Sequence, residues 1–256
     1  MPNLVVIAGP NGAGKSTTAP EILRTVGVNE FVNADVIASN LAPGSPESVA
    51  IDAGRIALRR MRALADAGQD FAFETTLSGR SFASWFRTLR KERGYKIHLF
   101  FIWLPTAEQS IERVARRFRM GGHSIPPDVI RRRHTLGLRN FFELFAPIAD
   151  YWALYENSSR LKRVAEKPIG ELPRVYDHAV WEAMVKSTEV REDEATYGRG
   201  AGEPEIMGVP TARITEAMQR AVEGAWLRHK TLGHPIVILR GGKMVEVPPG
   251  EIEITT

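Results

Sequence analysis

The sequence predicts an α/β fold in which helices cover both faces of a doubly wound parallel sheet. Apolar segments typical of buried strands alternate along the chain with amphipathic helical segments. This alternation favours a parallel sheet with right-handed crossovers. A glycine-rich segment also joins the first predicted strand to the first predicted helix. The two observations together indicate a sheet that presents a phosphate-binding loop at its edge.

The glycine-rich segment follows the apolar residues 4–8 and matches the pattern G-x-x-x-x-G-K-[ST] in full. Its residues are Gly9, Pro10, Asn11, Gly12, Ala13, Gly14, Lys15, Ser16 and Thr17. In such a loop the backbone N–H groups point at phosphate oxygens, the lysine reaches the β- and γ-phosphates, and the hydroxyl binds Mg²⁺. We therefore predict a P-loop NTPase or kinase-like fold that binds the phosphates of a nucleotide, with Ser16 as the metal ligand.

Two further predicted strands end in acidic residues. Residues 30–35 are predicted as a short strand ending at Asp35, and residues 70–74 as a strand ending at Glu74. Ligands bind at the carboxyl edge of an open α/β sheet, so both carboxylates are candidate site residues. We predict Asp35 as the catalytic base, with an N-cap of the next helix as its alternative role. Glu74 is predicted to bind a substrate hydroxyl or to hold Mg²⁺ through water.

An arginine-rich helical segment follows the fourth predicted strand, which covers residues 95–104. This helix carries Arg113, Arg116, Arg117 and Arg119. A second helix, after a break at Gly121-Gly122-His123, carries further arginines at residues 131–133. An arginine in a closing lid stabilises the transferred phosphate and excludes water. We predict that Arg116 or Arg117 assists Lys15 in catalysis, together with one arginine of residues 131–133.

The chain is predicted to divide at about residue 168. Residues 1–168 form a P-loop kinase core, and residues 169–256 form a C-terminal extension. The extension is predicted to contain a linker at about 188–209, an amphipathic helix at about 211–230 and a β-hairpin at about 236–248. Its apolar periodicity favours a structural role.

The composition limits the partners and the compartment. The chain has 256 residues, no cysteine and a net charge of +4. Without cysteine, disulfides and thiolate metal sites are excluded, and the cytoplasm is the expected compartment. No apolar segment reaches the length of a membrane span, so no membrane partner is expected. The mild positive charge suits an anionic small molecule, and nucleic acid is not an expected partner.

The order of these motifs resembles the zeta toxin family of P-loop kinases, and most closely its chromosomal branch with a C-terminal extension. The resemblance covers roughly residues 1–168 and rests on residues 9–17, 31–35, 73–80, 113–133 and 155–158. It implies an ATP- or GTP-dependent kinase that phosphorylates the sugar 3′-hydroxyl of UDP-N-acetylglucosamine and that an antitoxin protein holds inactive. It also implies Asp35 as the catalytic base, Glu74 as a substrate contact and the arginine helix as a lid. The residues Thr75, Thr76 and Arg80 complete the predicted substrate-binding set.

Other assignments of the loop lead to different functions. ABC transporter ATPases share the loop sequence, but they need an apolar strand ending in Asp-Glu and a later LSGGQ-like motif. Here the apolar strand ends at Pro105, and Leu77-Ser78-Gly79 comes too early in the chain. The alternatives that stay open are a kinase of another metabolite or of a polynucleotide end, and a regulatory ATP-binding switch.

Overall fold

A computed structural model describes residues 1–120, 122, 124–188 and 204–254 of the chain. Its main sheet contains strands β1 (Asn3–Ala8), β2 (Glu30–Val32), β3 (Phe71–Thr75), β4 (Lys96–Trp103), β5 (Tyr151–Glu156), β6 (Lys162–Lys167) and β7 (Arg174–Val175). Their order across the sheet is β2-β3-β1-β4-β5-β6-β7. The predicted doubly wound α/β fold is therefore confirmed.

The sheet departs from the prediction at one edge. Strands β1 to β5 pair in parallel, whereas β6 and β7 pair antiparallel to their neighbours. A crossover between parallel strands takes about a dozen or more residues. Residues 157–161 between β5 and β6 are too few for such a crossover, so the chain turns straight back and the sheet is only mostly parallel.

Helices cover both faces of this sheet. They are α1 (Lys15–Val26), α2 (Ala34–Leu41), α3 (Ala50–Asp66), α4 (Ser81–Glu92), α5 (Ala107–Arg119), α6 (Pro127–Asn140), α7 (His178–Thr188) and α8 (Thr211–Thr231). A 3₁₀ turn, Pro46–Val49, leads directly into α3. Within the described ranges, no helix is long and apolar enough to cross a lipid bilayer.

Strand β1 lies near the centre of the sheet and is buried on both faces. Leu4 and Val6 belong to a hydrophobic cluster to which α3, α4, α6 and α7 contribute. Val5 and Ile7 belong to the cluster on the opposite face, to which α1 and α8 contribute. Burial on both faces explains why β1 is a continuous apolar run rather than an alternating one. It also fixes the position from which the glycine-rich loop leaves the sheet.

The C-terminal extension packs into the same core. Ile214 and Met218 of α8 are 0% exposed and join the cluster that contains Val5 and Ile7. Strands β8 (Glu205–Ile206) and β9 (Val209–Pro210) form a small hairpin just before α8. Strands β10 (Ile236–Arg240) and β11 (Lys243–Val247) form the predicted hairpin after it. The predicted linker lies mostly outside the described residues, except that 205–210 form the small hairpin.

A buried polar network joins the start of α8 to the sheet. Glu166 of β6 is 0% exposed and accepts hydrogen bonds from the hydroxyls of Tyr151 and Tyr176. Arg163 pairs with Glu166 and donates to the Thr211 hydroxyl at 2.9 Å. The charge of the Glu166 carboxylate is thus compensated by donors from several elements, as burial requires. The boundary at residue 168 stays a prediction, which these contacts do not decide.

Met218 tests how much the extension contributes to the stability of the fold. Replacing this 0% exposed side chain with alanine is expected to lower the free energy of unfolding by about 2–5 kcal/mol, because apolar contacts are lost and a cavity remains. Denaturant titration of Met218→Ala, followed by both fluorescence and circular dichroism, measures this loss. The matched control is Leu227→Ala on the same helix, since Leu227 is 51% exposed. An unchanged unfolding midpoint for Met218→Ala would contradict a shared core.

Candidate active site

The loop between β1 and α1 has a backbone path that only glycine follows easily. Gly9 and Gly14 have φ angles of 139° and 95°, in the region that disfavours side chains. A Cβ atom on Gly9 would lie 2.1 Å from the carbonyl oxygen of Ile102, and one on Gly14 would lie 2.9 Å from Asn157 Nδ2. Asn157 also donates from Nδ2 to the carbonyl of Ala13 at 2.9 Å. The neighbouring strand ends therefore hold the loop closely in place.

Lys15 is the first residue of α1, and its side chain is buried. Its ammonium group donates to the carbonyl of Pro10 at 2.9 Å and lies 3.7 Å from the carboxylate of Glu74. Burial lowers the pKa of Lys15, while the carboxylates of Glu74 and Asp35 oppose that shift. A buried cation at a helix N-terminus, with its charge only partly compensated, attracts phosphate oxygens.

Glu74 connects the loop to the neighbouring strands. Strand β3 pairs with β1 so that Glu74 lies beside Ile7, close to the start of α1. One carboxylate oxygen of Glu74 accepts from Ser16 Oγ at 2.8 Å and from Asn33 Nδ2 at 3.0 Å. The other lies 3.7 Å from Lys15 Nζ. Strand β3 lies between β2 and β1. The side chains that follow β1 and β2 in the chain therefore meet at the carboxylate of Glu74.

Asp35 lies on the first turn of α2 and not at the end of a strand. Strand β2 ends at Val32, and Asn33 is the N-cap of α2. The Oδ1 atom of Asn33 accepts from the backbone N–H of Asp35 at 2.8 Å and of Val36 at 3.4 Å. The predicted extent of this strand is therefore wrong, because a strong capping residue starts the helix earlier. The carboxylate of Asp35 is exposed.

A cavity of about 290 Å³ runs across the phosphate-binding loop. Asp35 and Glu74 line it, and so do residues from α8 and β10. The loop contributes Asn11, Gly12, Gly14, Lys15, Ser16 and Thr17. The structure thus brings the predicted nucleotide-binding loop and both predicted acidic residues to one cavity.

The other predicted substrate contacts lie at the last residue of β3 and just after it, outside this cavity lining. The hydroxyl of Thr75 accepts from the backbone N–H of Leu77 at 3.1 Å. The hydroxyls of Thr76 and Ser78 lie 2.9 Å apart. Arg80 is exposed at the start of α4. Both threonine hydroxyls thus have partners within their own loop, and a substrate role for Thr75, Thr76 and Arg80 stays a prediction.

Two of the arginines on α5 differ sharply in their surroundings. Arg116 is 6% exposed. Its guanidinium donates to the carbonyl of Pro235 at 2.7 Å and lies 3.1 Å from the carboxylate of Glu246. Both arginines line the cavity, but only Arg117 is exposed. Arg116 is therefore fastened to the C-terminal hairpin, whereas Arg117 is the more accessible of the two.

Two further arginines contact the loop itself. Arg113 of α5 donates to the carbonyls of Ser158 at 2.9 Å and Val237 at 3.2 Å, and its NH1 group lies 3.4 Å from the carbonyl of Gly12. Burial lowers the pKa of Arg113 to about 10. Arg133 of α6 lies 3.5 Å from the side-chain oxygen of Asn11. Among the arginines at 131–133, this places Arg133 against the predicted nucleotide-binding loop.

The oxygens near Ser16 fit a Mg²⁺ ion. The Ser16 hydroxyl and the Glu74 carboxylate are hard oxygen donors 2.8 Å apart, and the Glu74 side chain is 10% exposed. Mg²⁺ in phosphate-transfer sites is commonly held by one or two protein groups, with waters and substrate phosphates completing its shell. Within the described part of the chain, no group of three or more His, Asp or Glu residues has the spacing of a metal site. Ser16 and Glu74 would therefore hold the ion together with phosphate oxygens.

Sequence reasoning missed two parts of this site. Asn33 is predicted only as part of a strand, although asparagine before a helical pattern is a recognised cap signal. The extension contributes several apolar side chains to the cavity lining, including Trp226 and Val237. Those side chains meet the loop through long-range packing, for which the local sequence carries no signal.

A phosphate-binding loop, a buried lysine and a carboxylate-lined cavity at the edge of parallel strands define a P-loop protein with a kinase-like fold. The family model described as Zeta toxin matches residues 1–147. The chain belongs to the zeta toxin family.

Relatives and solved structures support the fold. An uncharacterised protein from Haemophilus influenzae is 32% identical over 130 residues, which are 51% of this chain and 91% of that protein. The AvrRxo1-ORF1:-ORF2 complex solved with ATP matches with a TM-score of 0.60 and 19% identity, over 88% of this chain and 76% of that one. The PezAT chromosomal toxin-antitoxin system of Streptococcus pneumoniae matches with a TM-score of 0.52 and 15% identity, over 88% and 87%.

The contact between Asn33 and Glu74 can be tested through the pH dependence of stability. Asn33→Asp keeps an oxygen for the helix cap but places a second carboxylate about where the amide lies 3.0 Å from Glu74. Two carboxylates this close raise the pKa of the pair above the unfolded value. Stability relative to wild type is then retained at pH 4 and lost as the pH rises to 8, by about 1.4 kcal/mol per unit of pKa shift.

Thermal unfolding across this pH range measures the effect. The control is Asn33→Ala, which lacks the second carboxylate and is expected to lose about 1 kcal/mol at every pH through the missing cap. Parallel pH profiles for the two variants would show that residue 33 does not face Glu74.

Proposed function

We propose that this protein is a kinase that transfers the γ-phosphate of ATP or GTP to a hydroxyl of a small metabolite. UDP-N-acetylglucosamine is the acceptor that the family resemblance favours. The observation that carries the proposal is the shared cavity, in which Asp35 and Glu74 face the phosphate-binding loop. Membership of the zeta toxin family supports it, and so does the likeness to a complex solved with ATP.

The loop and Lys15 form the donor side of the proposed mechanism. Backbone N–H groups of residues 11–16 and the N-terminus of α1 hold the phosphates, and the buried Lys15 cation neutralises their charge. Ser16 and Glu74 would hold Mg²⁺, which would supply positive charge against the phosphates. This assigns Glu74 to the metal side rather than to a sugar hydroxyl, because it accepts directly from Ser16 Oγ.

Asp35 forms the acceptor side. Its carboxylate is exposed at the cavity, and α2 holds its backbone through the Asn33 cap. An aspartate so placed orients the acceptor hydroxyl and takes its proton as the bond to phosphorus forms. The leaving nucleoside diphosphate keeps its charge compensated by Lys15. No covalent intermediate with the protein is needed.

Arg117 is the arginine of α5 that we assign to the transferred phosphate. Its side chain is exposed at the cavity, whereas the Arg116 guanidinium is engaged by Pro235 and Glu246. Arg133 beside Asn11 supplies a second cation at the loop. Charge placed where it develops in the transition state contributes more than charge already used in the fold.

An antitoxin protein is the partner that we propose. The support is the family membership and the likeness to the PezAT toxin-antitoxin system. Location in the cytoplasm stays a prediction from the composition.

Asp35→Asn is expected to lower phosphate transfer by roughly 100-fold or more, because a general base contributes about 10²–10⁴ in rate. Mg-ATP binding should stay close to the wild-type value, since the loop is unchanged. Transfer of labelled phosphate from ATP to UDP-N-acetylglucosamine measures the first quantity, and calorimetry measures the second. Lys15→Ala is the matched control and should weaken both.

The possible results test the identity of the acceptor and the catalytic role of Asp35 separately. Full transfer by Asp35→Asn would overturn the catalytic role of Asp35. Nucleotide binding without transfer by the wild-type protein would reject this acceptor and call for a screen of other hydroxyl-bearing metabolites. Nucleotide hydrolysis without transfer to any acceptor would favour the regulatory switch, whose partner contact would involve the extension.

Replacing Arg117 with alanine is expected to lower the rate of phosphate transfer, whereas replacing Arg116 with alanine is expected to lower the stability of the fold. Arg117→Ala should reduce transfer roughly 100-fold, the effect of removing one charge-stabilising donor, with little change in thermal stability. Arg116→Ala should lower the free energy of unfolding by about 1–3 kcal/mol, because it removes a buried side chain together with its hydrogen bond to the carbonyl of Pro235. Rate assays beside thermal unfolding make the comparison. If only Arg116→Ala slowed phosphate transfer, Arg116 and not Arg117 would be the arginine that acts on the transferred phosphate.

A further inference from the structure

The C-terminal extension lines part of the cavity, and this part is called the far wall below. Its residues are Val222, Ala225, Trp226 and His229 of α8 and Ile236 and Val237 of β10. Residues 148 onward lie outside the range that the zeta toxin family model matches. The family match therefore assigns no role to this wall.

The strand order indicates which way a bound nucleotide would extend from the phosphate-binding loop. Asp35 and Glu74 come from the β2 and β3 side of the loop, while Asn157 follows β5 on the other side. In a P-loop the lysine and the hydroxyl mark the β- and γ-phosphate positions. Here those groups, Lys15 and Ser16, contact Glu74. The remainder of a bound nucleotide therefore extends away from the carboxylates, toward Asn157 and the extension.

The chemistry of the far wall suits a nucleobase. Aliphatic side chains and the indole of Trp226 line it, together with the imidazole of His229. Burial lowers the pKa of His229, so at neutral pH the ring is uncharged. The guanidinium groups of Arg113 and Arg116 also line the cavity, where the carbonyls of Val237 and Pro235 engage them. The indole of Trp226 offers a flat apolar face, and stacking on an aromatic side chain accepts any base.

The far wall is also fastened to the phosphate-binding loop. Arg113 bonds the carbonyl of Val237 on β10 and the carbonyl of Ser158, and its NH1 group lies 3.4 Å from the carbonyl of Gly12. The backbone N–H of Leu239 donates to the same Ser158 carbonyl at 3.1 Å. A wall held in this way is preorganised, which lowers the entropic cost of binding a ligand against it.

We propose that the C-terminal extension supplies the nucleoside-binding part of the donor site, with Trp226 as the aromatic contact for the base. The proposal rests on the proposed function, because it assumes that the loop holds the phosphates of the donor nucleotide. Residues outside the matched family range thereby complete the site.

Comparing Mg-ATP with Mg-tripolyphosphate tests this assignment, since the second ligand has phosphates but no nucleoside. Trp226→Ala should weaken Mg-ATP binding roughly tenfold or more, the usual effect of losing a base-stacking contact. Binding of Mg-tripolyphosphate, measured by calorimetry or by competition, should not change. Leu227→Ala is the matched control, since Leu227 is the exposed neighbour on α8 and lies outside the cavity lining.

A second variant keeps the test valid if Trp226→Ala does not fold, since Trp226 also packs against the hairpin cluster. Ala225→Met fills the cavity at the far wall without removing a contact, and it should weaken Mg-ATP binding alone. Equal weakening of both ligands, or no weakening of either, would overturn the proposal. If the wild-type protein binds neither ligand, the proposed kinase function fails as well, which is a different result.

Discussion

The ion pair of Lys15 with Glu74 is the interaction on which the site depends. The ammonium of Lys15 at the start of α1 lies 3.7 Å from the carboxylate of Glu74 on β3, and both side chains are largely buried. Burying such charges costs free energy that mutual attraction and hydrogen bonds must offset. Ser16 and Asn33 supply those hydrogen bonds, so that the loop, β3 and the start of α2 are held in one arrangement. The proposed metal-binding role and the structural role of this carboxylate therefore coincide at Glu74.

The extension and the nucleotide-binding core are physically continuous. Helix α8 buries Ile214 and Met218 in the cluster that covers one face of β1, and further along it presents Ala225 and Trp226 to the cavity. The same helix thus serves the core with one half and the site with the other. Energy from apolar burial holds the cavity wall in position, so the site gains its shape from packing that is far from the phosphates.

The features that sequence reasoning predicted are those that local chemistry determines. The glycine-rich loop follows from a motif whose backbone leaves little choice, and the helix of residues 211–230 follows from its apolar period. The strand predicted to reach Asp35 stops at Val32, because Asn33 caps the helix that follows. The reversal at β6 follows from a short connection and was predictable. The partners of Arg116 and the position of Trp226 depend on contacts between distant parts of the chain, which periodicity and spacing do not encode.

The bonds between α5 and the C-terminal hairpin have a consequence for exchange of ligand. Arg113 and Arg116 connect α5 to carbonyl groups of β10 and of the residue before it. Moving α5 alone would break these bonds, so widening the cavity on this side would have to displace the hairpin as well. The hairpin lies beyond residues 1–147, which the family model matches.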